Sequence, residues 1–91
     1  MPETLQILQY EYVPDIAERR APHRQAHLDL IASYHGDGRI VMAGAVGDPP
    51  HSGLLVFRSA SDAAAFAEQD PYGKAGLVVR ATVDPWTVVT S

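Results

Sequence analysis

The apolar and polar positions along this chain, with the prolines and glycines that break them, mark out six main elements. Residues 5–13 read Leu-Gln-Ile-Leu-Gln-Tyr-Glu-Tyr-Val, with Leu8, Tyr10 and Tyr12 on one face at a period of two. That pattern predicts a strand, and Pro14-Asp15 ends it. Residues 16–20 have helical character, but Pro22 is costly inside a helix, so a turn is expected up to Ala21. A main helix then starts near Pro22, because a first helical position does not need the N–H that proline lacks. His23, His27, Leu30, Ile31 and Tyr34 follow at spacings that place them on one helical stripe. Gly36 and Gly38 end it.

A second strand is expected from Arg39 to about Ala45, then a loop over residues 47–52 containing Asp48-Pro49-Pro50. Gly44 and Gly47 have the look of bulge or turn glycines. Residues 54–57, Leu-Leu-Val-Phe, are apolar throughout and predict a buried strand. Capping residues at 59–62 precede an alanine-rich stretch, which predicts a second helix ending before Pro71. After a turn over residues 70–76, a last strand runs from Leu77 to about Val83. Asp84-Pro85 interrupts it, and residues 86–89 continue along an edge, where proline is tolerated.

The order strand, helix, strand, strand, helix, strand packs most simply as a ferredoxin-like α+β fold: a four-stranded antiparallel sheet with both helices on one face. The 91 residues make one domain. Two helices leave the other sheet face bare. The first strand offers apolar residues to both faces, so a second copy packed sheet to sheet is expected there, as a homodimer. Trp86 reads as a packing or interface residue.

Charge narrows the partners. The formal net charge is -4, with only 7 Lys and Arg. That lacks the basic face of a nucleic-acid binder. No apolar run is long enough for a membrane span, and residues 1–4 lack the features of a secretory leader. With no cysteine, thiolate chemistry, disulfides and cysteine-bound zinc are excluded, and the cytoplasm is the default location.

His27 is the main chemical candidate. Its stripe turns it toward the sheet, and an imidazole, with an unperturbed pKa of about 6.5, serves as acid or base near neutrality. A half-buried histidine bonded to a carbonyl is the plainer alternative. Asp70, before Pro71, is a good N-cap, and the same carboxylate can also orient an imidazole. Arg24 stands one helical turn from His27, either to pair with an anionic group or as a surface charge. Tyr72 either lines a pocket as a hydroxyl donor or packs. His23 and His27 alone are too few ligands for a metal. Neither a nucleophile elbow nor a phosphate-binding glycine pattern occurs, so no cofactor is expected.

The run Arg24-Gln-Ala-His27-Leu, then Gly38-Arg39-Ile-Val-Met-Ala-Gly44, Gly53-Leu-Leu-Val, Asp70-Pro-Tyr72, Ala75-Gly76-Leu77 and Pro85-Trp86 resembles the YCII-related (YciI-like) family over nearly the whole chain. Where the family often has Ala-Gly-Pro, this chain has Ala43-Gly44-Ala45. The resemblance implies a dimeric α+β barrel of the muconolactone isomerase-like group, with its site on His27 and Asp70. It also implies acid–base chemistry, elimination or isomerisation, on a small cyclic or aromatic substrate, since the family includes a chlorohydroxyhydroquinone dehydrochlorinase. A non-catalytic module that binds a small molecule in the same pocket is the alternative.

Overall fold

The structure, a computed structural model, describes residues 3–90. The reading of residues 1–4 as leaderless therefore falls partly outside the described residues. Four strands form one antiparallel sheet: β1 (Glu3–Tyr12), β2 (Ile40–Val46), β3 (Ser52–Phe57) and β4 (Val78–Val88), in the order β2-β3-β1-β4. The helices are α1 (Ile16–Arg19), α2 (Arg24–Gly36), α3 (Ala60–Gln69) and α4 (Pro71–Lys74), with a 3-10 turn at Ala21–His23. The two long helices, α2 and α3, bear out the ferredoxin-like reading. Residues 16–19 close one helical turn where only a turn was expected. Pro22 falls inside the 3-10 turn, so the long helix starts two residues later than expected, at Arg24.

The period-two face of β1 lies beneath the helices. Leu8, Tyr10 and Tyr12 share a core with Leu55 and Phe57 of β3, Tyr34 of α2 and Phe66 of α3. The stripe read on α2 is real: His27 and Tyr34 are buried, and Leu30 and Ile31 are partly so. Packing is aromatic at the centre, with the Phe66 ring edge-on to Tyr34 at 5.2 Å and tilted against Phe57 at 5.5 Å, arrangements that suit the ring quadrupoles.

β4 runs unbroken through Asp84-Pro85, with Pro85 opposite Gln6 of β1. It survives the proline because it is an edge strand with only one neighbour to satisfy. Gly47 has a φ of 98° in the β2–β3 connection, a conformation that favours glycine. Gly44, by contrast, keeps regular pairing with Leu54, and the bulge falls between Ile40 and Met42.

The barrel implied by the resemblance is corrected here. The sheet is open, since β2 and β4 each pair with a single neighbour and not with one another. The face away from the helices carries a smaller apolar cluster of Leu5, Val56 and Val88, with Ile7 and Val41 against it. Met42 and Trp86 stay exposed.

Phe66 is fully buried and braces the rings of Tyr34, Phe57 and His27. Phe66→Ala is expected to lower the unfolding free energy by about 3–5 kcal/mol, read as a drop in the urea midpoint. A change under about 1 kcal/mol would mean that the core repacks around the gap.

Candidate active site

The site begins at a helix break. Asp70 ends α3 and caps α4 with an extended backbone, φ -64° and ψ 121°, as the proline that follows requires. Its Oδ1 accepts from the Tyr72 N–H at 3.0 Å, so the capping role holds. The same oxygen lies 2.7 Å from Nδ1 of His27, 43 positions away in sequence. Both roles read for Asp70 are therefore filled at once.

The contact bears on the tautomer. Where the carboxylate is ionised it only accepts, so Nδ1 is then the donor to Asp70. Nε2 is then the nitrogen left with a lone pair. Asp70 is fully buried and His27 nearly so, where a charge is tolerated only if paired and hydrogen-bonded. The imidazole lies flat on the Tyr72 ring, 3.7 Å between centroids and 5° from parallel. Phe66 meets it edge-on at 6.4 Å. Between carboxylate and two rings the histidine has little freedom to turn.

Three buried polar atoms here have no hydrogen-bond partner among the described residues: Asp70 Oδ2 and the hydroxyls of Tyr10 and Tyr72. The Tyr10 phenol lies beside the Asp70 carboxylate. Burial first, then the negative charge of Asp70 and its pull as a hydrogen-bond acceptor, push the phenol's pKa up. Tyr12 is raised in the same way, by burial and then by Asp70, while Arg20 and Arg24 oppose the shift. Both phenols stay protonated and remain hydrogen-bond donors.

His27 opens onto a cavity of about 400 Å³ between α2 and the end of β2. Arg24 and Tyr72, the other two residues singled out in the sequence, line it as well, as do Tyr12, Arg20, Leu28 and Ile31. Ala43, Gly44 and Ala45 form the β2 wall. Sequence reading missed Arg20, Tyr10 and Tyr12. For Arg20 a signal existed: positions 20, 24 and 27 keep helical spacing across Pro22. Tyr12 was read only as core, although it owes its place to Gly53. A Cβ at position 53 would collide with the Tyr12 hydroxyl, the close approach that a glycine inside a strand often marks. His23 and His51 do not reach the cavity.

The chain matches the model of the YCII-related domain over residues 5–87. Protein YciI of Escherichia coli is 33% identical over 86 residues, covering 82% of this chain and 88% of that one. The chain belongs to the YCII-related family. Among solved structures, 5-chloro-2-hydroxyhydroquinone dehydrochlorinase of Burkholderia phenoliruptrix, in complex with 2,5-dihydroxybenzoquinone, superposes with a TM-score of 0.74. It is 23% identical and the match covers 90% of this chain and 92% of that one. A dimeric ferredoxin-like protein from an uncultured marine organism has a TM-score of 0.54 at 14% identity, covering 97% and 89%. Among the described residues no helix is long and apolar enough to cross a membrane.

The tautomer is open to direct measurement. Long-range proton–nitrogen NMR of the neutral His27 ring is expected to show Nδ1–H in the wild type. In Asp70→Ala, which removes the acceptor, a mixture with Nε2–H should replace it. A wild-type ring already dominated by Nε2–H would reduce Asp70 to a helix cap.

Proposed function

We propose that this YCII-related protein is a small enzyme that moves protons on a single-ring substrate with its own side chains. The single observation that carries the reading is the 2.7 Å contact between His27 Nδ1 and the fully buried Asp70, at the wall of a cavity. A carboxylate behind Nδ1 leaves Nε2 as the base and stabilises the imidazolium that forms, the division of labour seen in other His–Asp pairs.

In the reaction class we favour, Nε2 takes a proton from a ring hydroxyl or ring carbon. The electron pair left behind moves into the ring. In an elimination, a leaving group on the ring departs with its bonding pair; in an isomerisation, the proton returns at another carbon. In the elimination His27 then gives up its proton to the leaving group or to water, whereas in the isomerisation its return to carbon already restores the neutral ring. Arg24 serves an anionic or polar group of the substrate. Tyr72 holds a buried hydroxyl that lacks a partner, a group that a ligand's polar atom would satisfy. The dehydrochlorinase with the same fold, a protein named for its action on a chlorinated hydroxyhydroquinone, supports trying hydroxylated and halogenated rings first.

We also propose that the bare sheet face packs against that of a second copy. Leu5, Ile7 and Val56 cluster there, and Met42 and Trp86 are 58% and 41% exposed beside them. An apolar face of this kind, on a chain this short, gains stability from being covered.

For the chemistry, His27→Asn is the informative variant. Its amide nitrogen can take the place of Nδ1 and keep Asp70 paired, which avoids the cost of stranding a buried charge, but nothing replaces Nε2. With a substrate found among chlorinated and hydroxylated benzenes, kcat is expected to fall by about 10²–10⁴ with the fold intact. Retained turnover removes the catalytic role of His27. A ligand bound and released unchanged by the wild type would make the protein a binding module.

For the assembly, sedimentation of the wild type should give a dimer. Met42→Glu combined with Leu54→Glu, both on the bare face, should give a folded monomer. A monomeric wild type at micromolar concentration would sink the sheet-to-sheet pairing.

A further inference from the structure

Two guanidinium groups stand at the mouth of the cavity, and the residues that line it include no aspartate or glutamate. Arg20 precedes the 3-10 turn and Arg24 opens α2, so the turn carries both to the same side as His27. Among the described residues neither is engaged in a salt bridge, although Arg19 and Arg39 both are. Two free cations at one opening stand out in a chain of net charge -4. A concave, low-dielectric wall concentrates such a field and draws in ions of opposite sign. Asp70, behind His27, is fully buried and already holds two donors.

The remaining walls limit what the anion can be attached to. Leu28, Ile31 and Leu55 supply apolar contact, and Ala43, Gly44 and Ala45 leave the opposite side low and flat. A volume of about 400 Å³ lies near the small end of ligand pockets, suited to a single ring. At the base Tyr12 adds a phenol kept protonated by burial, a donor for an oxygen of the ligand.

We infer that the cavity binds a small planar ring bearing a carboxylate or an ionised hydroxyl, its negative group held between Arg20 and Arg24 and its ring against Leu28, Ile31 and Leu55. This rests on the cavity being the ligand site proposed above, but not on any reaction taking place there. Arginine suits the task because its planar fork meets two oxygens at once. Arg20 thereby becomes a specificity residue that the chemistry at His27 does not itself require.

The test is direct binding, followed by proton–nitrogen NMR titration of the intact protein. Benzoate is compared with benzamide, and pentafluorophenolate with pentafluorobenzene, pairs that differ chiefly in charge. At least one of the two anions should shift resonances around Arg20, Arg24 and Tyr12 saturably, and more weakly as salt is raised. Which anion does so separates a carboxylate site from a phenolate site. Arg20→Ala and Arg24→Ala should each weaken that binding by about tenfold or more, and Arg20→Lys by less. The inference is overturned if the neutral partners bind as tightly as the anions. It is equally overturned if both alanine variants bind like wild type, or if neither anion saturates. Because binding and not turnover is read, a protein that turns over nothing can still pass, and an active one can still fail.

Discussion

A carboxylate with no exposed surface is the constraint around which this molecule is arranged. Asp70 is fully buried, and burying an isolated charge is so unfavourable that a protein must either neutralise it or surround it with donors. Here the donors come from two distant parts of the chain, the Tyr72 N–H two residues on and His27 Nδ1 from the other helical segment. The pairing joins the halves of the fold beneath the sheet. It also explains why His27 faces inward from a helix whose neighbouring positions are largely exposed. A histidine there satisfies the carboxylate with one nitrogen and still has a second to offer.

Tyrosines complete the shell at a cost. The Tyr10 and Tyr72 hydroxyls and Asp70 Oδ2 are buried without hydrogen-bond partners among the described residues, and each unmade bond of this kind costs about 1–3 kcal/mol. Natural interiors rarely leave such groups unpaired without a reason. They belong to the aromatic surroundings of His27, whose imidazole is stacked on Tyr72. Stability is given up around the buried His27–Asp70 pair, and the fully buried Phe66 packs edge-on against the imidazole.

Much of this was legible from residue order. A period of two located β1 and a stripe of helical spacing located α2, an apolar run marked β3, and capping residues before alanines marked α3; the stripe from His27 to Tyr34 gave the inward face of α2 correctly. Asp70-Pro71 announced a cap, because proline forces the residue before it out of the helix. What periodicity could not give was distance: nothing local ties position 27 to position 70. The sheet order was likewise unreadable, and so the implied barrel failed. Closure depends on whether the outer strands meet, and here β2 and β4 lie at opposite edges. Pro22 obscured Arg20, because a helix breaker normally ends a stripe, whereas a 3-10 turn carried the same face across it. Gly53 was quoted only as part of a resemblance, since its physical role lies in the phenol of Tyr12 passing over it.

The division between a buried, locked core and an exposed wall has a consequence for how such a site could change its ligand. Asp70, His27 and Tyr72 are locked by burial, hydrogen bonds and stacking, so altering any of them disturbs the core. Ala43, Gly44 and Ala45 lie on an exposed edge strand, with Ala43 and Ala45 opposite Leu55 and Gly53 on the face beneath the helices. Arg20 sits on a short turn outside the long helix. Substitutions on this rim alter the size and charge of the cavity at little expense to the fold, because surface changes away from buried partners typically move stability by no more than about 0.5 kcal/mol. The departure from the family's frequent Ala-Gly-Pro falls at this edge, at Ala45, which pairs with Gly53 beneath Tyr12. On the function proposed above, the same His27–Asp70 core would serve different rings, with the choice made by the β2 edge and the two arginines.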